Sequence, residues 1–367
     1  MFLYRSKLLR HIKCYRSFNT LCVNGKEQRF LSRDELDINR AKRFFENKTI
    51  STIGYGPQGF SQSMNLRDQG FNVCVGVRKY GPSWDKAIED GWIENKNLFD
   101  IKNALEAGDV YQYLVSDSAQ MIMWDNIKKH LDFGKTLCFS HGFGITYSKL
   151  TKIIPPNMID VIMVAPKGPG TKVREKFLKG NGVNASYAVY QNSSGDAYKS
   201  VVNLAVGIGC TNLFETTFNH ETYSDLVGER CVLLAAIIGA FQAQYNVLIE
   251  RGHSPLEAYN ETVEEALECL YPLMNDKGAD WMLANCSTTA QTGALEWAPK
   301  FENLIKPMIE ECYERVKDGS EAQKAIDANK EDDYREKLDN QLKDIAENEL
   351  WKVAKQARSL RKDDFLL

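Results

Sequence analysis

Two carboxylate pairs have the spacing that chemistry on a hard cation requires. Asp225 and Glu229 are four residues apart, as are Glu261 and Glu265, so on helices each pair shares one face. The first pair leads into residues 231–241, which are apolar all round and predict a buried helix. Acids at the head of a buried helix pair with a cation or coordinate a metal; alternatively they cap the helix and favour its dipole. The spacing leaves both open. The second pair follows a stop at Gly252 and a start at Ser254-Pro255-Leu256-Glu257, with a serine cap, a proline at the first position and a glutamate three after the cap. On this helix Leu256, Tyr259, Val263, Ala266, Leu267 and Leu270 form an apolar stripe. Glu261 and Glu265 lie on the other side, a solvated face unless another surface covers them. Oxygen donors of this kind suit Mg²⁺, and a two-metal site would clamp adjacent substrate oxygens as a Lewis acid.

A second chemical signal is Gly54-Tyr55-Gly56-Pro57-Gln58-Gly59, a G-x-G-x-x-G run between a β-rich stretch and a helical one. Such glycines allow a tight turn and close approach of the backbone to a pyrophosphate at the helix N-terminus, although packing alone also selects glycine there. Some 24 residues after Gly54, where an acid would bind a ribose 2′-hydroxyl, the chain carries Arg78-Lys79 and then Ser83. Cations there fit the 2′-phosphate of NADP(H) rather than NAD; the alternative is a solvated basic pair.

These residues need a scaffold, and its pattern is visible. Residues 49–53, 73–77, 110–115, 136–140, 161–165 and 185–189 read as strands, with helical stretches such as 63–69, 84–90 and 120–130 between them. That alternation predicts a doubly wound parallel sheet. Beyond residue 209 the β signal fades and helical patterns run to the end, predicting an α/β domain over 27–209 and an all-α domain over 210–367. Residues 310–364 read as helices with one apolar stripe and a charged outer face.

Composition narrows the function classes. The 367 residues suit two domains. The longest apolar run has eleven residues, against about 20 for a bilayer span, so no membrane association is expected. Net charge is −3, but residues 1–26 hold six basic residues and no acid, leaving 40 basic against 49 acidic residues and a charge of −9. A body this acidic lacks the basic footprint of a nucleic-acid binder. The nine cysteines are scattered and never spaced CxxC, which argues against a disulfide framework or zinc site. Residues 1–26, basic and without an uninterrupted apolar stretch, read as an organelle-targeting segment cleaved between Arg16 and Asn24, or as a disordered basic arm.

Taken in order, GYGPQGFSQSMNLRDQGFNVCVGVRK, SDSAQ, SHGFG, VAPKGPG, SDLVGER, NETVEEA and NCSTTAQTGALEWAP resemble the motifs of the ketol-acid reductoisomerase family, over residues 45–300 and more loosely beyond. The chain is most similar to the short mitochondrial form of fungi. The resemblance implies a Rossmann-like domain followed by a knotted helical domain built by two intertwined chains. It also implies a homodimer or higher oligomer of dimers in the mitochondrial matrix, and an NADP(H)- and Mg²⁺-dependent enzyme of valine, isoleucine and leucine biosynthesis. Its substrates would be 2-acetolactate and 2-aceto-2-hydroxybutanoate, each undergoing alkyl migration and then reduction.

Carried onto matching positions, two Mg²⁺ ions would be held by Asp225 and Glu229, with Glu261 and Glu265 from the partner chain. His141, Lys167 and Glu265 would serve catalysis, and Ser287 would bind the substrate carboxylate. Gly54, Tyr55, Gly56, Pro57, Gln58, Gly59, Arg78, Lys79, Ser83, Asp117, Gln120 and Gly170 would line the cofactor. Pro57 stands where the family usually has serine, and Ala235, Ala236 and Ile238 replace the usual glycines and histidine. An ordinary NADP-dependent hydroxyacid dehydrogenase would leave the carboxylate pairs without a role. A catalytically silent binding protein would not need Lys167 and the four acids intact.

Overall fold

The structure, a computed structural model, describes residues 19–360. Ten strands form one sheet: β1 (Asn19–Val23), β2 (Lys26–Leu31), β3 (Ile50–Ile53), β4 (Val73–Gly76), β5 (Leu98–Phe99), β6 (Val110–Tyr113), β7 (Thr136–Phe139), β8 (Asp160–Pro166), β9 (Ala185–Gln191) and β10 (Leu213–Glu215). Their order is β1-β2-β10-β9-β8-β7-β6-β3-β4-β5. From β8 to β5 every pairing is parallel. In chain order these six strands stand 3-2-1-4-5-6, the doubly wound arrangement that binds dinucleotides. All six strands expected from the sequence are present, but the sixth, β9, pairs antiparallel to β8, so the sheet is mixed rather than wholly parallel.

Period-two alternation divides this sheet between two cores. Ile50, Val75, Val110, Cys138, Ile162 and Val164 face one core, where the helix Ala197–Ile208 contributes Val201, Leu204 and Ala205. Cys74, Tyr111, Tyr113, Leu137, Phe139 and Met163 face the other, with Trp124 and Ile127 of the helix Asp117–Lys128. A sheet buried on both sides explains why its strands read as apolar runs.

Three features depart from the sequence reading. The short strand β10 pairs parallel to β9 and antiparallel to β2, so the sheet extends past residue 209; the division into compact units falls between Thr222 and Tyr223. Residues 19–26, at the end of the expected targeting segment, form β1 and its turn, with Asn19 opposite Phe30 and Val23 opposite Lys26. Residues 1–18, the rest of that segment, lie outside the described residues.

The third departure concerns the second unit. Residues 231–241 are not one buried helix: 231–234 form a turn between the helices Phe218–Arg230 and Ala235–Glu250, and Leu233 is 67% exposed. The cause is a small core. Phe241, Tyr245, Ala258, Tyr259, Val263, Leu350 and Ala354 pack together, which leaves most apolar side chains of this helical unit uncovered within one chain. The helical stretch Phe218–Glu250 is also long and apolar enough to cross a membrane by length and composition, which the eleven-residue run did not indicate.

The start at Ser254 is present, its side chain accepting from the Glu257 N–H at 3.3 Å. The helix Pro255–Tyr259 then widens into two π-helical turns, Asn260–Glu264 and Ala266–Leu270, which no sequence pattern announced. Helices Thr288–Lys317, Ser320–Ala328, Tyr334–Glu347 and Glu349–Leu360 complete the unit.

Candidate active site

The glycine loop follows β3 and opens the helix Pro57–Asp68. Its glycines have different reasons. Gly54 has φ +103°, and a Cβ there would stand 2.5 Å from the Leu114 carbonyl oxygen. A Cβ on Gly59 would meet the Gly54 oxygen at 2.3 Å, and one on Gly170 the Pro57 oxygen at 2.1 Å. Around Gly56 nothing lies within 4 Å. Protein packing therefore fixes Gly54, Gly59 and Gly170, whereas Gly56 borders open space of the kind a phosphate needs to approach a backbone.

The open edge at Gly56, at the N-terminus of a helix, fits a nucleotide phosphate. Pro57, at the first helical position, needs no intrahelical donor, and its carbonyl accepts from the Ser61 hydroxyl at 2.8 Å. Gly56→Ala is expected to leave folding nearly intact, costing at most about 1 kcal/mol as a weaker N-cap, while weakening NADPH binding about tenfold or more. Gly59→Ala should instead lower stability by about 1–3 kcal/mol through overpacking. Thermal melts beside NADPH titrations separate the two; equal binding losses without a stability difference would contradict these roles.

Every other loop expected at the site in the first unit also leaves the carboxyl end of a parallel strand. Arg78 and Lys79 follow β4 and are exposed, and Ser83 lies in the first turn of the helix Pro82–Glu89. Lys79 Nζ is 2.8 Å from Glu94 Oε1. Asp117 opens the helix after β6. Gln120 is buried, and its Nε2 donates to the carbonyls of Tyr113 and Val115 at 3.4 and 3.2 Å. It therefore shapes the turn that presents Asp117. Tyr55 is buried as well, donating to Asp90 at 3.0 Å and accepting from Trp92 at 2.8 Å; burial pushes its phenol well above the ordinary range.

Buried amides tie these loops together. Thr52 Oγ1 donates to Gln112 Oε1, and Gln112 Nε2 to Gln62 Oε1, both at 2.8 Å. Gln62 Nε2 donates to Ser140 Oγ at 2.8 Å and to Gln58 Oε1 at 3.0 Å; Gln58 Nε2 reaches the Gly168 carbonyl at 3.1 Å. The chain couples the phosphate loop to the loops carrying His141 and Lys167. A satisfied buried network of this kind holds one geometry.

His141 follows β7 and Lys167 follows β8. Both meet Glu221, which the sequence reading missed. Its Oε2 lies 3.1 Å from His141 Nδ1 and accepts from the Gly142 N–H at 2.9 Å; its Oε1 is 3.5 Å from Lys167 Nζ. Gly142 must be glycine, since a Cβ would come within 2.4 Å of Thr222 Oγ1. Burial opposes charge on Glu221, but the His141 hydrogen bond and charge, Lys167 and the Gly142 N–H outweigh it and hold the carboxyl below its usual range. An ionised carboxylate thus orients the His141 ring and the Lys167 ammonium.

Glu221 was legible in one respect. With Asp225 and Glu229 it forms a ladder of acids at intervals of four on the helix Phe218–Arg230. Asp225 is half-buried, and Glu229 is exposed with Arg230 Nη1 at 3.9 Å. Glu261 and Glu265 are exposed on the π-helical segment. Among the described residues of one chain, no cluster of three or more metal-ligating side chains includes Glu229, Glu261 or Glu265. Ser287 is exposed and caps the helix Thr288–Lys317, accepting from the Ala290 N–H at 3.2 Å.

A glycine loop, a following basic pair and a lysine–histidine–glutamate cluster at the carboxyl edge of this sheet define a nucleotide-dependent oxidoreductase. Residues 44–213 match the model of the acetohydroxy acid isomeroreductase NADPH-binding domain, and residues 218–363 that of the ketol-acid reductoisomerase C-terminal domain. The chain belongs to the ketol-acid reductoisomerase family. It is 47% identical to the mitochondrial ketol-acid reductoisomerase of Neurospora crassa over 95% of this chain and 87% of that one. Identity to the mitochondrial enzyme of Saccharomyces cerevisiae is 50%, over 88% and 81% of the two chains. A solved NADH-preferring ketol-acid reductoisomerase from an uncultured archean superposes with a TM-score of 0.80 at 34% identity, covering 91% of this chain and 99% of that one.

Proposed function

We propose that this chain is a mitochondrial-matrix ketol-acid reductoisomerase that uses Mg²⁺ and NADPH. It rearranges and reduces 2-acetolactate and 2-aceto-2-hydroxybutanoate to the dihydroxy acids of branched-chain amino-acid synthesis. The observation that carries this reading is the convergence of His141 and Lys167 on a buried, ionised Glu221 at the head of the acid ladder.

The carboxylate oxygens of Asp225, Glu229, Glu261 and Glu265 are the donors Mg²⁺ prefers. When bound, two Mg²⁺ ions supply Lewis acidity to adjacent substrate oxygens, and NADPH supplies the hydride. The chain's own groups do the rest. Lys167 sets positive charge beside the oxygen that becomes anionic, and Glu221 fixes both Lys167 and the ring of His141. Glu265 exchanges the proton of the migrating centre's hydroxyl. The Ser287 hydroxyl accepts from the Ala290 N–H and so keeps its own proton to donate to the substrate carboxylate.

The decisive assay follows NADPH oxidation with acetolactate and, separately, with the already rearranged keto acid, each with and without Mg²⁺. Consumption of both, with acetolactate strictly Mg²⁺-dependent, is expected. Consumption of the keto acid alone would make the chain a plain hydroxyacid dehydrogenase.

The exposed apolar surface supports an intertwined dimer. Trp297, Phe301, Leu304 and Met308 recur at helical spacing and are exposed, as are Val232, Leu233 and Leu234. Apolar area of this extent calls for a second protein surface. A second copy covering it would also bring Glu261 and Glu265 to the partner's Asp225 and Glu229. Mixing inactive Asp225→Asn chains with inactive Glu261→Gln chains should then restore up to about a quarter of wild-type activity, because half the dimers are mixed and one site in each is intact. Verified subunit exchange without recovery would rule out the shared site.

A further inference from the structure

The nucleotide pocket carries an acid that neither motif nor fold requires. Lys79, one of the two cations placed for a 2′-phosphate, is held by Glu94 at 2.8 Å. Its ammonium also lies over the rings of Tyr80 and Trp84, at 5.1 and 5.7 Å from their centroids. The hydrogen bond and charge of Glu94 raise the Lys79 ammonium above its ordinary range. Arg78 makes no ion pair among the described residues.

Glu94 is fixed by its backbone. It sits in a turn in which the Leu98 N–H donates to the Ile93 carbonyl at 3.0 Å, the Asn95 N–H to the Leu98 carbonyl at 3.1 Å, and the Ile93 N–H to the Asn97 side chain at 2.8 Å. Asn95 takes φ +59°, and Glu94 bridges to Leu98, the first residue of β5. The turn delivers the carboxylate beside the loop that follows β4, next to β5 in the sheet. The acid thus comes from the turn before β5, and the cation it meets from the loop after β4.

We propose that Glu94 is a specificity-determining residue for the nucleotide: it competes with the 2′-phosphate for Lys79 and narrows the margin by which NADPH is preferred over NADH. The inference rests on the reading of Arg78, Lys79 and Ser83 as the 2′-phosphate site. A phosphate arriving there must draw Lys79 away from Glu94 and then stands near an unneutralised carboxylate. A neutral 2′-hydroxyl meets neither obstacle. The exposed ion pair is weak enough to exchange partners, so the device tempers selectivity without abolishing it.

Calorimetric titration with two probes tests this. Adenosine 2′,5′-bisphosphate carries the phosphate in question; 5′-AMP lacks it. Glu94→Gln, and independently Glu94→Ala, should bind the bisphosphate about threefold to tenfold tighter than wild type at low salt, with 5′-AMP changed by less than about twofold. NADPH and NADH dissociation constants should follow the same pattern. Unchanged or weaker bisphosphate binding in both variants, with Arg78→Asp still weakening it, overturns the role of Glu94 alone. If Arg78→Asp also leaves the bisphosphate unaffected, the reading of the pocket fails and the proposal falls with it.

Discussion

Asp225→Asn should reduce acetolactate turnover about a hundredfold or more while leaving the chain folded. Asp225 lies in the middle of the acid ladder, one helical turn beyond Glu221 and one before Glu229. The asparagine keeps the shape and removes the charge that two cations would share. Helix content and thermal midpoint should stay near wild type, because the residue is only half-buried and its side chain closes no core. Reduction of the rearranged keto acid should suffer less than conversion of acetolactate if the migration needs both cations. Retention of more than about a tenth of acetolactate turnover at saturating Mg²⁺ would remove Asp225 from the bridging position.

Arg78→Asp combined with Lys79→Asp should shift the NADPH/NADH preference by on the order of 10²-fold, mostly in the cofactor KM. Both residues follow β4; with the adenosine end there, as proposed, the hydride is remote and kcat for bound NADPH should change little. The ion pair with Glu94 divides the effect unequally. Arg78→Asp alone should account for most of the shift, since Lys79 is already engaged. A shift below about threefold in the double variant would mean that the phosphate is read elsewhere, with Ser83 in the first turn of the following helix the next group to replace.

What the sequence revealed, and what it hid, follows from range. Strands β3, β4, β6, β7, β8 and β9 were legible because each is a run of apolar and β-branched residues bounded by turns. Strand β10 has three residues and β5 has two, too short for any period to register. Strand β2, KEQRFL, is largely exposed and polar, and β1 lay within a stretch read for its charge. The glycine loop and basic pair were legible as local spacing. Glu94 was not, because its partner lies 15 positions away, on the other side of the helix Pro82–Glu89. Glu221 was missed for the same reason: its contact with His141 spans 80 residues. Local pattern also failed at residues 231–241, where composition promised burial that one chain does not supply.

The π-helical turns from Asn260 to Leu270 have a consequence for how this segment can vary. A π-turn accommodates one more residue per hydrogen-bonded loop than an α-turn. Losing a single residue there would let the backbone settle into ordinary α-helix with its ladder intact. The chain could thus tolerate a change of length at Ala266 and keep its helical content. Because the wide turn already absorbs the extra residue, everything beyond the deletion would keep nearly the same angular phase. Insertion or deletion at this point can therefore pass without displacing either glutamate. The wide turns act as slack in the helix, and a family tree should record their use as gaps rather than substitutions.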